Sequence, residues 1–176
     1  MIFIVSDLHF SDDTTATNID PDAFKIMQNE ILTTYENRVA ESLTIVLLGD
    51  ILDLVRTDYW FGKNFDERPW NGTLHDLTAM NTNVSCENGY RDILKRILKR
   101  PSTKAFFDAL TNITATVNVS KIVYILGNHD RVFNNFMSLR DDLSAATKIP
   151  FVFANSFSNG DHSVQARHGH EWDVNC

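Results

Sequence analysis

The sequence predicts an α/β fold built on a parallel sheet with helical crossovers. Three short apolar runs, at residues 1–5, 43–48 and 121–126, have the composition of buried parallel strands. Segments with helical periodicity separate them, and a strand–helix–strand unit is almost always a right-handed crossover. At 176 residues the chain can form a single domain, spanning 1–176, with a substantial core.

Four helices are expected between and after these strands. The first begins at Asp20, an N-cap residue followed by Pro21, which is favoured in the first turn of a helix. The other three are predicted at 90–99, after Pro101, and at 131–146. Two further strands are expected at 151–154 and 163–167.

Residues 59–88 interrupt this pattern and predict an irregular insertion. The stretch holds Trp60 and Trp70 together with glycine, proline and many Asn and Asp residues. A loop of this length is usually functional or disordered. Two interpretations stay open, a partly ordered flap near the functional site and a surface insertion with a small satellite cluster.

The helix at 90–99 carries a basic outer face. It is formed by Lys95, Arg96, Lys99 and Arg100. Such a face is either simply solvated or able to attract an anionic substrate, and the sequence favours the solvated face.

Composition and charge narrow the function classes. A net charge of −7 disfavours general binding to nucleic-acid backbones but allows a small phosphorylated substrate. No segment is long and apolar enough for a membrane span, and the N-terminus lacks the basic region of a signal peptide. Cys86 and Cys176 have neither zinc-ribbon nor disulfide-framework spacing, so we expect reduced thiols. These features predict a cytoplasmic protein without membrane association.

Polar motifs follow four of the predicted strands. They are Asp7-Leu8-His9, Gly49-Asp50-Ile51-Leu52-Asp53, Gly127-Asn128-His129-Asp130 and His168-Gly169-His170. The carboxyl ends of strands in an open α/β sheet form the crevice where ligands bind. Four strand ends with compatible ligand chemistry therefore predict a metal site.

The predicted metal ligands are carboxylates, imidazoles and one amide. They are Asp7, His9, Asp50, Asn128 and His168. A carboxylate can bridge two cations through its two oxygens, which makes Asp50 the candidate bridge. A ligand set without thiolates suits Mn, Fe, Zn or a similar divalent ion, and we expect two such ions.

Each of these residues also has a purely structural interpretation. Asp7 could cap a turn, and Asp50 could be a helix N-cap. Asn128 could occupy a left-handed turn position, and His168 could be a hydrogen-bonded core histidine. If all four interpretations were correct, the presence of metal-ligand residue types at all four strand ends would be a coincidence.

His129 is the predicted catalytic residue, because it adjoins a metal ligand and histidine donates protons near neutral pH. Either Asp53 or Asp130 could orient its imidazole. A two-metal site would activate water for in-line attack on phosphorus. The chain lacks both the G-x-S-x-G serine elbow and the Walker A loop.

The ordered motifs resemble those of the calcineurin-like metallophosphoesterase superfamily, D-x-H, G-D-x-x-D, G-N-H-[DE] and a later H. The resemblance covers residues 1 to about 173. It implies an α/β/β/α sandwich and a dinuclear site with the five ligands named above and His129 as the catalytic acid. The implied activity is hydrolysis of a phosphodiester, nucleotide or pyrophosphate.

Two departures from the family pattern affect these expectations. Asp53 is followed by Leu54-Val55, so the protein phosphatase branch, which has Arg-Gly there, is disfavoured. The closing G-H-x-H is absent, because Trp172 stands where its second histidine belongs, and we expect a C-terminally incomplete sandwich. His170 could replace one missing ligand.

The alternative function is a catalytically impaired metallophosphoesterase-like module that binds ligands or acts as a scaffold.

Overall fold

A four-stranded parallel sheet forms the centre of the molecule. The computed structural model describes residues 1–70 and 84–172. The strands lie in the order β1-β2-β3-β4, with bounds of Ile2–Val5, Leu43–Leu48, Val119–Ile125 and Phe151–Ala154. All three pairings are parallel, which confirms the predicted α/β class. The described chain contains four α-helices, α1 (Asp22–Asn37), α2 (Val84–Leu98), α3 (Pro101–Thr116) and α4 (Met137–Thr147).

The two faces of the sheet are covered differently. Each crossover joins neighbouring strands, and right-handed crossovers in this order place the helices on one face. Leu43, Ile45 and Leu47 point to that face and belong to the main core with the helical side chains. The alternate residue Val46 faces a smaller core, which β5 (Phe157–Ser158) and β6 (Gln165–Ala166) cover as an antiparallel pair.

Helix α2 begins at Val84, six residues earlier than predicted, so residues 84–88 are helical and are not part of an irregular insertion. The sequence prediction failed because Asn88 and Gly89 are poor helix formers. Packing overrides this preference, since a Cβ on Gly89 would lie only 2.2 Å from Cη2 of Trp60. The glycine lets the tryptophan ring lie directly on the helix.

Other predicted boundaries also need correction. Residues 131–134 form a short 3-10 helix, and α4 begins only at Met137, after Phe136 adopts an extended backbone with φ −126°. Pro21 occupies the N-cap position of α1, although the Asp20 carboxylate still accepts a hydrogen bond from the backbone N–H of Asp22 at 2.9 Å. The strand predicted at 163–167 is reduced to β6, and its partner β5 was not predicted.

The described part of the predicted insertion packs into the main core. Residues 59–70 contain two 3-10 helices, Tyr59–Gly62 and Phe65–Glu67. Trp60 is 2% exposed, and its ring centroid lies 5.2 Å from that of Tyr90 in α2. This part of the chain is therefore neither a separate satellite cluster nor a lining of the strand-end cleft described below. The rest of the predicted insertion, up to α2, lies outside the described residues.

Two cations of the predicted basic face, Arg96 in α2 and Arg100 just beyond its end, make structural contacts. The guanidinium of Arg96 stacks 4.8 Å from the ring centroid of Tyr59, and Nη1 lies 3.9 Å from Oδ2 of the buried Asp12. Arg100 donates a hydrogen bond to the backbone carbonyl of Asp12. These contacts tie the loop after β1 to α2. Among the described helices, none combines the length and apolar character needed to cross a membrane.

Candidate metal centre

The backbone turns sharply where β1 and β2 end. Asp7, His9 and Asp50 adopt left-handed conformations, with φ of 55°, 48° and 52°, and Gly49 has φ of 76°. Left-handed backbone costs a non-glycine residue roughly 1–2 kcal/mol. Such strain is concentrated at functional sites, where surrounding structure holds it in place. Here the N–H groups of Asp7 and His9 donate to the carbonyls of Gly49 and Asp50, at 3.1 and 2.9 Å.

Two glycines allow the strand ends to approach one another. A Cβ on Gly49 would lie 2.3 Å from Cδ2 of His168, and one on Gly127 would lie 2.1 Å from Oδ1 of Asp50. Both distances are far below ordinary van der Waals contact. Because both residues are glycines without a side chain, the motifs around Asn128 and His168 can pack closely against the motif around Asp50.

Asp50 lies at the centre of the cluster and is 4% exposed. Its Oδ1 accepts a hydrogen bond from the backbone N–H of His129 at 2.9 Å. Its Oδ2 lies 3.8 Å from Nε2 of His9 and 3.6 Å from Nε2 of His168. The carboxylate thus joins the ends of β2 and β3 and presents one oxygen to two imidazoles.

The more exposed Asp7 faces the same two imidazoles. Its Oδ1 lies 4.0 Å from Nε2 of His9 and 3.8 Å from Nε2 of His168. Two groups of possible metal donors result, one of His9, Asp50 and His129 and the other of Asp7, Asp50 and His168. The structure therefore brings four of the five predicted ligands together, and Asn128 lines the same cleft.

The donor geometry fits divalent cations. The distances of 3.6–4.0 Å between carboxylate and imidazole atoms are too long for hydrogen bonds. Two ligands bound about 2.1 Å from one tetrahedral ion lie roughly 3.4 Å apart, so a slight contraction would suffice. Among the described residues, Nδ1 of His9 has no hydrogen-bond partner; it is buried and lies 3.5 Å from Oδ2 of Asp53. A set of oxygen and nitrogen donors suits Mn, Fe or Zn.

Several structural interpretations of the motif residues can now be tested. Asp50 is not a helix N-cap, because no helix follows it directly. Asn128 does not adopt a left-handed conformation. His168 is indeed hydrogen-bonded and mostly buried, at 11% side-chain exposure, but its Nε2 faces two carboxylates. A core histidine with a purely structural role would not require that arrangement.

Asp53, and not Asp130, contacts the imidazole of His129. Nδ1 of His129 lies 3.0 Å from Oδ1 of Asp53. Burial acts to raise the pKa of Asp53. Hydrogen bonds from the Arg56 backbone and from His129 lower the pKa by more than burial raises it, so the pKa lies below its usual value. An ionised carboxylate can only accept, so Nδ1 of His129 carries the hydrogen. Asp53 also accepts from the backbone N–H of Arg56 at 2.9 Å, which stabilises the following turn.

Asp130 holds the loop after β3 in place. Its carboxylate accepts hydrogen bonds from the backbone N–H groups of Gly127 and Ile51, at 2.6 and 3.1 Å, and from the hydroxyl of Tyr124 at 2.9 Å. Burial raises the pKa of Asp130 to about 6 despite these donors. Its contribution to the centre is to connect the loop after β3 with the segment after β2.

The centre opens into a cleft of about 600 Å³, within the size range of small-molecule sites. Arg167 and His170 line it beside the predicted residues. Sequence reasoning assigned no role to Arg167 and considered His170 only as a substitute ligand. Nδ1 of His170 instead lies 2.7 Å from Nδ1 of His168. Only their position next to His168 in the sequence could have drawn attention to them.

A larger cleft of about 850 Å³ lies elsewhere, beside β1 and α1, and is lined by residues such as Met1, Phe3 and Met27. It contains none of the predicted ligands. Volume alone would therefore misplace the site, and the convergence of titratable groups is the better guide.

Comparisons of the chain with protein-family models, with curated proteins and with solved structures found no match. The case for function therefore depends on the residues and the geometry described above.

Proposed function

We propose that this chain is a metal-dependent phosphoester hydrolase of the calcineurin-like metallophosphoesterase kind. The observation that carries the proposal is the buried Asp50 carboxylate, which is shared by two groups of donor atoms. The helical layer, the parallel sheet and the β5–β6 pair support a sandwich architecture, which we propose as the fold.

The two donor groups divide the ligands between two ions. Asp7, Asp50 and His168 would hold one ion. Asp50 and His9 would hold the other, together with Asn128 or His129 from the loop after β3. Divalent ions at such a site supply hydroxide near neutral pH and neutralise charge on phosphate oxygens.

The residues of the chain supply the proton and its control. The Asp53 carboxylate accepts a hydrogen bond from Nδ1–H of His129, and when the imidazole is protonated its Nε2–H can donate a proton to a departing alkoxide. An ionised Asp53 also stabilises the protonated imidazole. This arrangement supports His129 as the general acid, although its position in one donor group also allows it to act as a ligand.

The cleft favours a small substrate with phosphate groups. Its volume of about 600 Å³ suits a phosphodiester, a nucleotide or a pyrophosphate. Arg167 also lines the cleft and adds a positive charge that complements phosphate oxygens. The net charge of −7 disfavours long nucleic acids as substrates.

Hydrolysis of bis-p-nitrophenyl phosphate and p-nitrophenyl phosphate with added Mn²⁺ tests the proposal. We expect cleavage that is lost when a chelator removes the metal. Metal binding without any cleavage of either ester would favour the alternative of a binding or scaffold module.

Two substitutions separate metal binding from proton transfer. We expect Asp50→Asn, which keeps the side-chain volume but removes the shared charge, to abolish both metal retention and hydrolysis. His129→Ala should lower hydrolysis by about 10²–10⁴-fold while most of the metal is retained. Asp22→Asn, at a position 77% exposed on α1, is the control and should change neither. Equal metal loss in the Asp50 and His129 variants would contradict the assignment of His129 as an acid.

A further inference from the structure

His168 and His170 form a hydrogen-bonded pair of imidazoles at the edge of the metal centre. Their Nδ1 atoms are 2.7 Å apart, and their ring centroids are 4.9 Å apart. Two neutral imidazoles make such a bond only when one Nδ1 carries hydrogen and the other presents a lone pair. The tautomers of the two residues are therefore coupled.

The opposite side of the His168 ring faces the carboxylates. Nε2 of His168 lies 3.6 Å from Oδ2 of Asp50 and 3.8 Å from Oδ1 of Asp7. Nε2 can bind a cation only through its lone pair, which requires the hydrogen to be on Nδ1. Nδ1–H then points at His170, whose Nδ1 must act as the acceptor.

Neither of the two donor groups formed by the described residues includes His170. Its Nδ1 is directed at His168, on the side of that ring away from the carboxylates. The geometry thus gives His170 a different role from that of a substitute ligand.

We propose that His170 is a positioning residue that accepts the hydrogen bond from Nδ1–H of His168 and so holds Nε2 towards Asp7 and Asp50. The inference rests on the proposed metal site. Metal-binding histidines usually donate their second nitrogen to a carboxylate, a backbone carbonyl or water, and here an imidazole takes that place. The pairing fixes the orientation of the His168 ring.

Zinc affinity of three variants tests this role, with Zn²⁺ alone as the probe and calorimetry as the measurement. We expect His170→Phe, which keeps a ring but removes the acceptor, to weaken binding by about 10–100-fold. His170→Asn should restore most of the affinity, because its amide oxygen can accept the same hydrogen bond. His162→Phe, on the exposed turn between β5 and β6, is the matched control and should bind zinc as the unaltered protein does.

A spectroscopic readout separates hydrogen bonding from simple packing. In the zinc-loaded protein we expect ¹⁵N shifts that place hydrogen on Nδ1 of His168 and a scalar coupling between the two Nδ1 nuclei. Thermal unfolding of each variant verifies that the fold persists.

The outcomes distinguish the two proposals. Equal zinc affinity in His170→Phe and in the unaltered protein would overturn the positioning role and leave the metal site intact. Equal weakening in His170→Asn and His170→Phe, or a missing coupling, would also overturn it. Failure of the unaltered protein to bind zinc would overturn the metal site itself, and with it this inference.

Discussion

Replacing Gly127 with alanine would place a methyl group in the space that Asp50 occupies. The added Cβ would lie 2.1 Å from Oδ1, 2.8 Å from Cγ and 2.7 Å from the backbone nitrogen of Asp50. One of these neighbours is backbone, and the carboxylate is buried, so a simple side-chain rotation cannot relieve the collision. Gly127 has no left-handed φ, and the substitution is therefore a steric probe without added backbone strain.

The size of the effect follows from the geometry. To reach an ordinary contact of 3.4 Å, Oδ1 must retreat by 3.4 − 2.1 = 1.3 Å. Overpacking of this kind costs about 1–3 kcal/mol of unfolding free energy. For a chain of this size, the melting temperature should fall by about 2–12 °C. A misplacement near 1 Å can cost on the order of 10²-fold in catalysis, so we expect metal affinity and hydrolysis to fall together.

Gly169→Ala provides the matched control, because a Cβ there would meet no atom of the described part of the chain within 4 Å, although the residue lines the same cleft. Scanning calorimetry and zinc titration of both variants make the comparison. If Gly127→Ala melted and bound metal as Gly169→Ala does, the packing of Gly127 against Asp50 would be wrong.

Two further predictions concern stability away from the centre. Replacing glycine with alanine in a helix normally stabilises a protein by about 1 kcal/mol, but Gly89→Ala should destabilise this one in chemical denaturation, because its Cβ would collide with Trp60. The contact would be refuted if Gly89→Ala stabilised as much as Gly62→Ala, whose Cβ would meet no atom of the described residues within 4 Å. The hydrogen bonds and charge of Arg91 lower the pKa of Asp142 below 3.8. The pair, with Nε–Oδ2 at 2.6 Å, should therefore stabilise fully above about pH 4, and this contribution should be lost as the pH falls through the lowered pKa of the folded state. Because the Arg91 side chain is 37% exposed, solvent screens the pair and we expect a small effect. It is measured as the difference in unfolding stability between the unaltered protein and Asp142→Asn across pH, and a difference that grows as the pH falls would contradict this sign.

The ends of strands were predictable from the sequence where a continuous apolar run marks the strand. The strands β1, β2 and β4 match the predicted ranges closely, because each is a continuous apolar run in the sequence. Of the three, β2 is buried along most of its length, whereas Ile4 of β1 and Val152 of β4 are 40% and 50% exposed. The start of α2 was missed, because the fit between Gly89 and Trp60 depends on a contact between distant segments. The break before α4 was missed as well, since residues 131–136 carry apolar side chains with helical spacing.

The sequence by itself determined the parallel sheet and the presence of ligand-type residues at four strand ends, because burial and strand termini depend on local composition. Only the tertiary structure decided which of these groups meet. The bonds from His129 to Asp50 and Asp53 join residues 79 and 76 positions apart, and no local pattern encodes such contacts. The choice of Asp53 over Asp130, and the pairing of His168 with His170, depend on side-chain directions that are set when the strand ends pack together.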